Sequence, residues 1–252
     1  MRLWILPVGT FSADETVLDP HCEPGNILFI PVYAYLIETP NGLFLFDTGC
    51  SNQCRTNPQG LLGQEFSQLL QPRLAPDDYI TAQLAKIGFA PSDIDGVINS
   101  HLHFDHGGGN SAFSHHKFLI QRSEWAAVDS DPDQYPDSAA LDINTGQLHL
   151  LDGDYRFDTR LYAVSTPGHT EGHQSLIVEL NGGPIVLTGD AVYTQRQFHP
   201  DNIGTATNPD QARLSVAHLL HLTETLHARP FFSHDPIQAE KESWRLSPGF
   251  YQ

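Results

Sequence analysis

Residues 100–110 read SHLHFDHGGGN, which puts His101, His103, Asp105 and His106 within six consecutive positions. Imidazole nitrogens and carboxylate oxygens together suit zinc, and also iron, cobalt or manganese. The chain has 14 histidines, and a lone one would pass for a packed or surface residue. Three with an aspartate at this spacing are far harder to explain that way. The segment from Gly96 to His106 reads as a short β-branched strand running into the cluster. On a strand, side chains two apart share a face, so His101 and His103 can reach one point. Asp105 continues the alternation, and His106 can turn to a second point. Gly107, Gly108 and Gly109 allow a tight backbone path with no side chain crowding the site.

A pair of metal ions needs about seven or eight protein ligands, more than this cluster supplies. Three further positions have the right chemistry. His169 in TPGHTEGH, Asp190 in VLTGDAVY and His234 in FFSHD each follow an apolar, strand-like run directly. Alone, Asp190 would pass for a turn residue and His234 for a buried histidine. The repeated pattern of strand then ligand is what argues that they converge at one sheet edge. His173, four residues after His169, reads as a support for a ligand rather than a ligand. The remaining histidines are read as non-ligands.

The elements that must position these groups are legible in outline. Trp4–Val8 reads as a first strand. Val32–Thr39 and Gly42–Gly49 flank a Pro-Asn turn and predict a hairpin. Residues 50–76 are polar, punctuated by proline and glycine, and carry an apolar centre; they predict a long ordered loop of the lid type. Residues 77–88 predict a helix, with Asp77 and Asp78 at its start, Ile80, Leu84 and Ile87 on one face, and Gly88 at its end. Residues 208–229 predict the longest helix, with Leu214, Ala217 and Leu220 facing one way. Grouped strands interrupted by helices argue for sheet layers covered by helices, not a doubly wound parallel sheet. No linker is visible, so residues 1–252 are expected to form one domain.

Composition narrows the function. Lys and Arg total 13 against 30 Asp and Glu, a net charge of −17. Such a chain repels phosphate backbones and anionic lipid surfaces, which weighs against nucleic acid and membrane partners. No stretch approaches the roughly 20 apolar residues of a membrane span, and the apolar start is too short for a signal peptide. Cys22, Cys50 and Cys54 are odd in number and form no Cys-x-x-Cys pair, so a reducing cytoplasm is the expected compartment.

The set SHLHFDHGGG, TPGHTEGHQS, TGDAVY and SHD resembles the metallo-β-lactamase superfamily, and within it the N-acyl-homoserine lactone lactonases that quench quorum sensing. The likeness runs from about Leu28 to Lys241. It implies an αββα sandwich of the α/β (α+β) class with a dinuclear site at one edge. One divalent ion, zinc before cobalt, iron or manganese, would take His101, His103 and His169. The other would take Asp105, His106 and His234, with Asp190 bridging both. A hydroxide held between the ions would attack the lactone carbonyl. Tyr193 would donate a hydrogen bond to the carbonyl oxygen, and Asp105 would pass a proton to the leaving alkoxide. Leu62 and Phe66, in the 50–76 segment, are the candidates for the acyl-chain surface. The resemblance also implies a homodimer.

The metal motif is shared with thioesterases, sulfatases and phosphodiesterases, so hydrolysis of another lactone, a carboxylic ester or a thioester is the rival enzymatic reading. Few residues follow Asp190, which speaks against the extra C-terminal domain of thioesterases resembling glyoxalase II. A metal-binding domain without hydrolysis is the rival from another class. The presence of all seven candidate ligands opposes it.

Overall fold

In the computed structural model, residues 1–130, 135, 143–242 and 249–252 are described. The predicted hairpin forms, with its first strand starting earlier, at Ile27, and its second stopping at Phe46 rather than Gly49. Strand β1 (Arg2–Asp14) pairs antiparallel with β2 (Ile27–Thr39), and β2 with β3 (Gly42–Phe46). Further strands are β4 (Leu70–Arg73), β5 (Gly96–Ile98), β6 (Lys117–Gln121) and β7 (Leu148–Leu151). They complete a seven-stranded sheet in the order β4-β1-β2-β3-β5-β6-β7. Strands β8 (Tyr155–Asp158), β9 (Leu161–Ser165), β10 (Gln174–Leu180), β11 (Gly183–Leu187) and β12 (Arg229–Phe231) form a five-stranded sheet, ordered β12-β11-β10-β9-β8.

Both faces of each sheet are covered, which is why the central strands read as continuous apolar runs rather than alternating ones. Leu3, Ile5, Tyr35, Ile37 and Ile98 meet Ala163, Leu176, Val178 and Leu187 between the sheets. Their neighbours Trp4, Leu6, Leu36 and Val97 face the other way, onto Ile80 and Leu84 of helix α4 (Ile80–Lys86) and Ala127 and Val128 of α5 (Arg122–Ser130). On the far side, Val164, Ile177 and Val186 pack on Val216 and Leu219 of α6 (Pro209–Leu226). The architecture is therefore the expected αββα sandwich. Among the described residues, no helix is long and apolar enough to cross a membrane.

Three local expectations need correction. The 50–76 segment is mostly helical rather than a long ordered loop. It folds into α1 (Asn52–Thr56), α2 (Pro58–Leu62) and α3 (Gln64–Leu69) before β4. Asn57 caps α2 through Gly60 N–H, Pro58 sits in its first turn, and Gly63, at φ +77°, breaks the path to α3. On α6, the buried stripe is Ala212, Ser215, Val216, Leu219 and Thr223, while Leu214 is 71% exposed. Polar Ser215 belongs to that stripe because its hydroxyl donates to Pro167 O at 2.6 Å. Finally, β5 stops at Ile98, so the histidine cluster lies in a loop rather than on strand geometry.

The strand ends bring the chemistry together. Strands β3 and β5 are parallel neighbours, as are β11 and β12, and β9 runs in the same direction as β11 across the antiparallel β10. Gln174 ties the sheets at this edge, donating from its backbone to Ser100 O at 2.8 Å and from its amide to Asn99 O at 2.7 Å. Gly108 and Gly109 give the tight backbone path read off the sequence, and it runs against a neighbouring segment. A Cβ on Gly108 would lie 2.3 Å from Phe104 O and 2.5 Å from Ser51 N, and one on Gly109 2.4 Å from Thr48 O. They let the cluster loop press against residues 48–51. Gly108→Ala should therefore destabilise the protein by roughly 1–3 kcal/mol. Chemical denaturation measures this, and an unchanged midpoint would show that the loop does not pack as described.

Candidate metal centre

The seven candidate ligands converge at this edge in two groups. Ligand atoms of His101, His103, His169 and Asp190 lie within 4.8 Å of one another, as do those of Asp105, His106 and His234. Asp190 stands between them. Its Oδ2 is 3.7 Å from His101 Nε2 and 3.4 Å from His169 Nε2. Its Oδ1 is 3.2 Å from His106 Nε2 and 3.1 Å from His234 Nε2. His103 Nδ1 completes the first group at 3.0 Å from both His101 Nε2 and His169 Nε2. Asp105 completes the second, with Oδ2 3.8 Å from His106 Nε2 and 3.7 Å from His234 Nε2.

The far side of each ring fixes which nitrogen points inward. His234 Nδ1–H donates to Pro31 O at 2.8 Å, and His169 Nδ1–H to Thr205 O at 3.0 Å. His106 Nδ1–H donates to Asp47 Oδ2 at 2.9 Å. Ser100 Oγ donates to Asp47 at 2.7 Å and so accepts from His101 Nδ1–H at 2.9 Å. With Nδ1 engaged in this way, each of these four rings turns its Nε2 toward the Asp190 carboxylate. Lone pairs facing carboxylate oxygens at these distances repel unless a proton or a metal ion lies between them. His106 Nε2 and Asp190 Oδ1 are buried without a hydrogen-bond partner, the signature of donor atoms meant for an ion. The donor set therefore fits a divalent metal.

Burial and neighbouring charge act in opposite directions here. Burial, helped by His106 and His103, holds His101 well below the ordinary imidazole range, and burial also lowers His169. Burial pushes His106 and His234 down too, but the Asp190 and Asp105 carboxylates outweigh it and raise both. Burial would raise Asp190, yet His106 and His234 hold it well below the carboxylate range. The Tyr193 phenol is driven well above 10 by burial and by Asp190 and Asp105, so it stays protonated. Its oxygen lies 3.1 Å from His169 Nδ1 and 3.4 Å from Thr205 O, and its ring lines the cavity over the cluster.

Several supporting residues escaped the sequence reading. Asp47, at φ +60°, accepts from Ser100 N, Ser100 Oγ and His106 Nδ1. It follows β3 in the same way that Asp190 follows β11, so the pattern of strand then acid was available to find it. His173 is a support as read. Its Nε2 accepts Asp190 N–H at 2.9 Å, and burial followed by His169 lowers its pKa to about 3, which keeps that nitrogen free to accept. Glu124, buried in the first turn of α5, had no recognisable signal.

Comparison with known proteins assigns this arrangement to a family. The sequence profile of the metallo-beta-lactamase superfamily matches residues 28–247. The chain belongs to the metallo-beta-lactamase superfamily. It is 33% identical over 252 residues to the N-acyl homoserine lactonase AiiA of Bacillus thuringiensis subsp. kurstaki, covering 99% of this chain and 98% of the relative. It is 31% identical to the N-acyl homoserine lactonase AttM of Rhizobium radiobacter over 267 residues, covering 100% and 98%. A solved N-acyl homoserine lactone hydrolase, with N-hexanoyl-L-homoserine product at its catalytic metal centre, superposes with a TM-score of 0.89 at 31% identity, covering 99% and 98%. Superfamily membership and the paired donor groups together imply divalent metal at this site. Asp190→Ala removes the carboxylate shared by both groups, so the purified variant should lose most of its bound metal. Elemental analysis reads this directly, and full retention would exclude a bridging Asp190.

Proposed function

We propose that this protein opens the lactone ring of N-acyl-homoserine lactones, using two divalent ions, zinc first among them. One ion is assigned to His101, His103 and His169, the other to Asp105, His106 and His234, and Asp190 is shared. The observation that carries the substrate is the shape of the cavity above the cluster. It has a volume of about 700 Å³ and a polar floor of His103, Asp105, His169, Asp190, Tyr193 and His234. Phe11, Leu18, Ile30, Leu62, Phe66 and Leu69 supply apolar walls that continue from this floor. A small polar ester head with a hydrocarbon tail matches that division.

Ions in this position supply Lewis acidity and bring the pKa of a water molecule toward neutrality. The protein supplies the rest. Tyr193, held neutral, donates to the carbonyl oxygen as negative charge develops on it. Asp105, at the cavity floor, carries the proton that the departing ring oxygen needs. The apolar walls exclude water and hold the tail so that the ring lies over the floor. Phe66 contacts Phe104 edge to face at 6.0 Å, and Phe104 contacts Phe11 at 5.7 Å, so the wall is a continuous aromatic run. Leu62 is 7% exposed and packs in the core while lining the cavity, so it both anchors α2 and offers surface to the tail. The same reading makes residues 1–252 one hydrolase domain. It also expects a cytoplasmic enzyme, in keeping with three cysteines that form no Cys-x-x-Cys pair.

Adding an N-acyl-homoserine lactone to zinc-loaded protein should release acid, read by a pH indicator. Activity should vanish with chelator and return with zinc. Absence of acid release with every acyl chain would end the lactonase reading. Tyr193→Phe should keep its metal and lower kcat by on the order of 10²-fold; an unchanged kcat would remove Tyr193 from the mechanism. Each buried methylene is worth about 0.8 kcal/mol, so wild-type KM should fall as the chain lengthens. Phe66→Ala should flatten that dependence across a hexanoyl-to-decanoyl series, and an identical slope would count against a role in binding the tail.

A further inference from the structure

Glu124 is fully buried and lies outside the ligand set, yet it touches both loops that carry one half of that set. Its Oε1 accepts from Leu102 N–H at 2.9 Å, between His101 and His103, and from Tyr135 Oη at 3.0 Å. Its Oε2 accepts from Thr170 Oγ1 at 2.6 Å, next to His169, and from Gly172 N–H at 3.0 Å. The Tyr135 ring in turn packs against the His103 ring, with centroids 5.4 Å apart. Through these contacts one carboxylate reaches the backbone or ring environment of His101, His103 and His169.

We propose that Glu124 is a positioning residue that locks the His101–His103–His169 group into metal-binding geometry by clamping its two loops together. The proposal rests on reading that group as a metal site. An ionised carboxylate accepts about four hydrogen bonds and donates none, and all four of these places are filled here. Two of the donors are backbone N–H groups that cannot rotate away. Gly172 confirms how closely the loops are drawn in, since a Cβ there would lie 2.2 Å from Glu124 N. The Asp105–His106–His234 group has different supports, Asp47 and Pro31 O. Glu124's bonds therefore fall beside the first group, although the Leu102 loop continues to Asp105 and His106.

Glu124→Gln tests this with almost no change of shape. The amide NH₂ replaces one oxygen, so whichever way it is turned it confronts a backbone N–H, Leu102 or Gly172, that cannot turn away, and that loop is released. Thr170→Val removes a single donor and keeps the carboxylate. Wild type and both variants are loaded with zinc, and release into excess chelator is followed with a colorimetric zinc dye. The expected result is biphasic release. Half of the zinc should leave Glu124→Gln at least about tenfold faster than wild type, with the other half unchanged. Thr170→Val should show a smaller acceleration of the same phase. Wild-type rates in both variants would overturn the proposal. So would equal acceleration of both phases with a lowered urea midpoint, which is what a general loss of stability produces. If Glu124→Gln does not fold, Thr170→Val decides alone, and a wild-type release rate there overturns the clamp. Failure of wild type to hold zinc at all would instead reject the metal site itself, and shows before any variant is made.

Discussion

Four imidazoles turn their Nε2 atoms toward the two oxygens of Asp190, all of them buried. Without a cation between ring and carboxylate, acceptor would face acceptor in a medium that screens charge poorly. The arrangement becomes favourable only with positive charge in the middle. Much of the surrounding structure keeps the rings from escaping this confrontation. The Nδ1 atoms are tied to Pro31 O, Thr205 O, Asp47 and Ser100, and the Asp190 N–H is tied to His173. A centre built in this way spends folding stability on preorganisation, and metal binding returns it.

The sandwich makes such convergence affordable in chain length. Strands β3, β5, β9, β11 and β12 all end at the same edge, and a short turn after each carries Asp47, the cluster, His169, Asp190 and His234 in that order. No long excursion is needed to bring residues 47 and 234 into one network. The glycines on these turns serve the backbone: Gly108 and Gly109 against residues 48–51, and Gly172 against α5. The cavity is then completed from the other end of the chain, where α2, α3 and the β1–β2 ribbon bring apolar side chains over the polar floor.

Two carboxylates show how similar chemistry is divided by environment. Asp190 faces the cavity and the ligand nitrogens. Glu124 is sealed away from solvent and satisfied by four donors. Burial pushes its pKa up, and the bonds from Thr170, Leu102, Tyr135 and Gly172 pull against that rise. Asp190 is thus placed where charge must be shared with an ion, and Glu124 where charge is spent on holding backbone.

Residue type and spacing were enough to single out the seven candidate donors that the structure brings together, because metal ligation demands particular side chains and strand ends place them after recognisable apolar runs. The layered fold was legible for the same reason: runs such as β2 and β10 are apolar on both faces. The sequence did not reveal that the cluster sits beyond the strand, that the 50–76 segment is helical, or that Leu214 faces solvent while Ser215 faces the core. Each of those outcomes depends on a partner distant in sequence, such as Pro167 O for Ser215. Glu124 was missed on the same ground, since a lone acid becomes a support only when donors from two other segments close on it. The sequence alone determined which atoms are available to bind metal, because ligand chemistry is carried by the side chain itself. Tertiary structure alone decided which nitrogen of each ring faces inward and which oxygen of Asp190 serves which group, because those choices are made by hydrogen bonds between loops far apart along the chain.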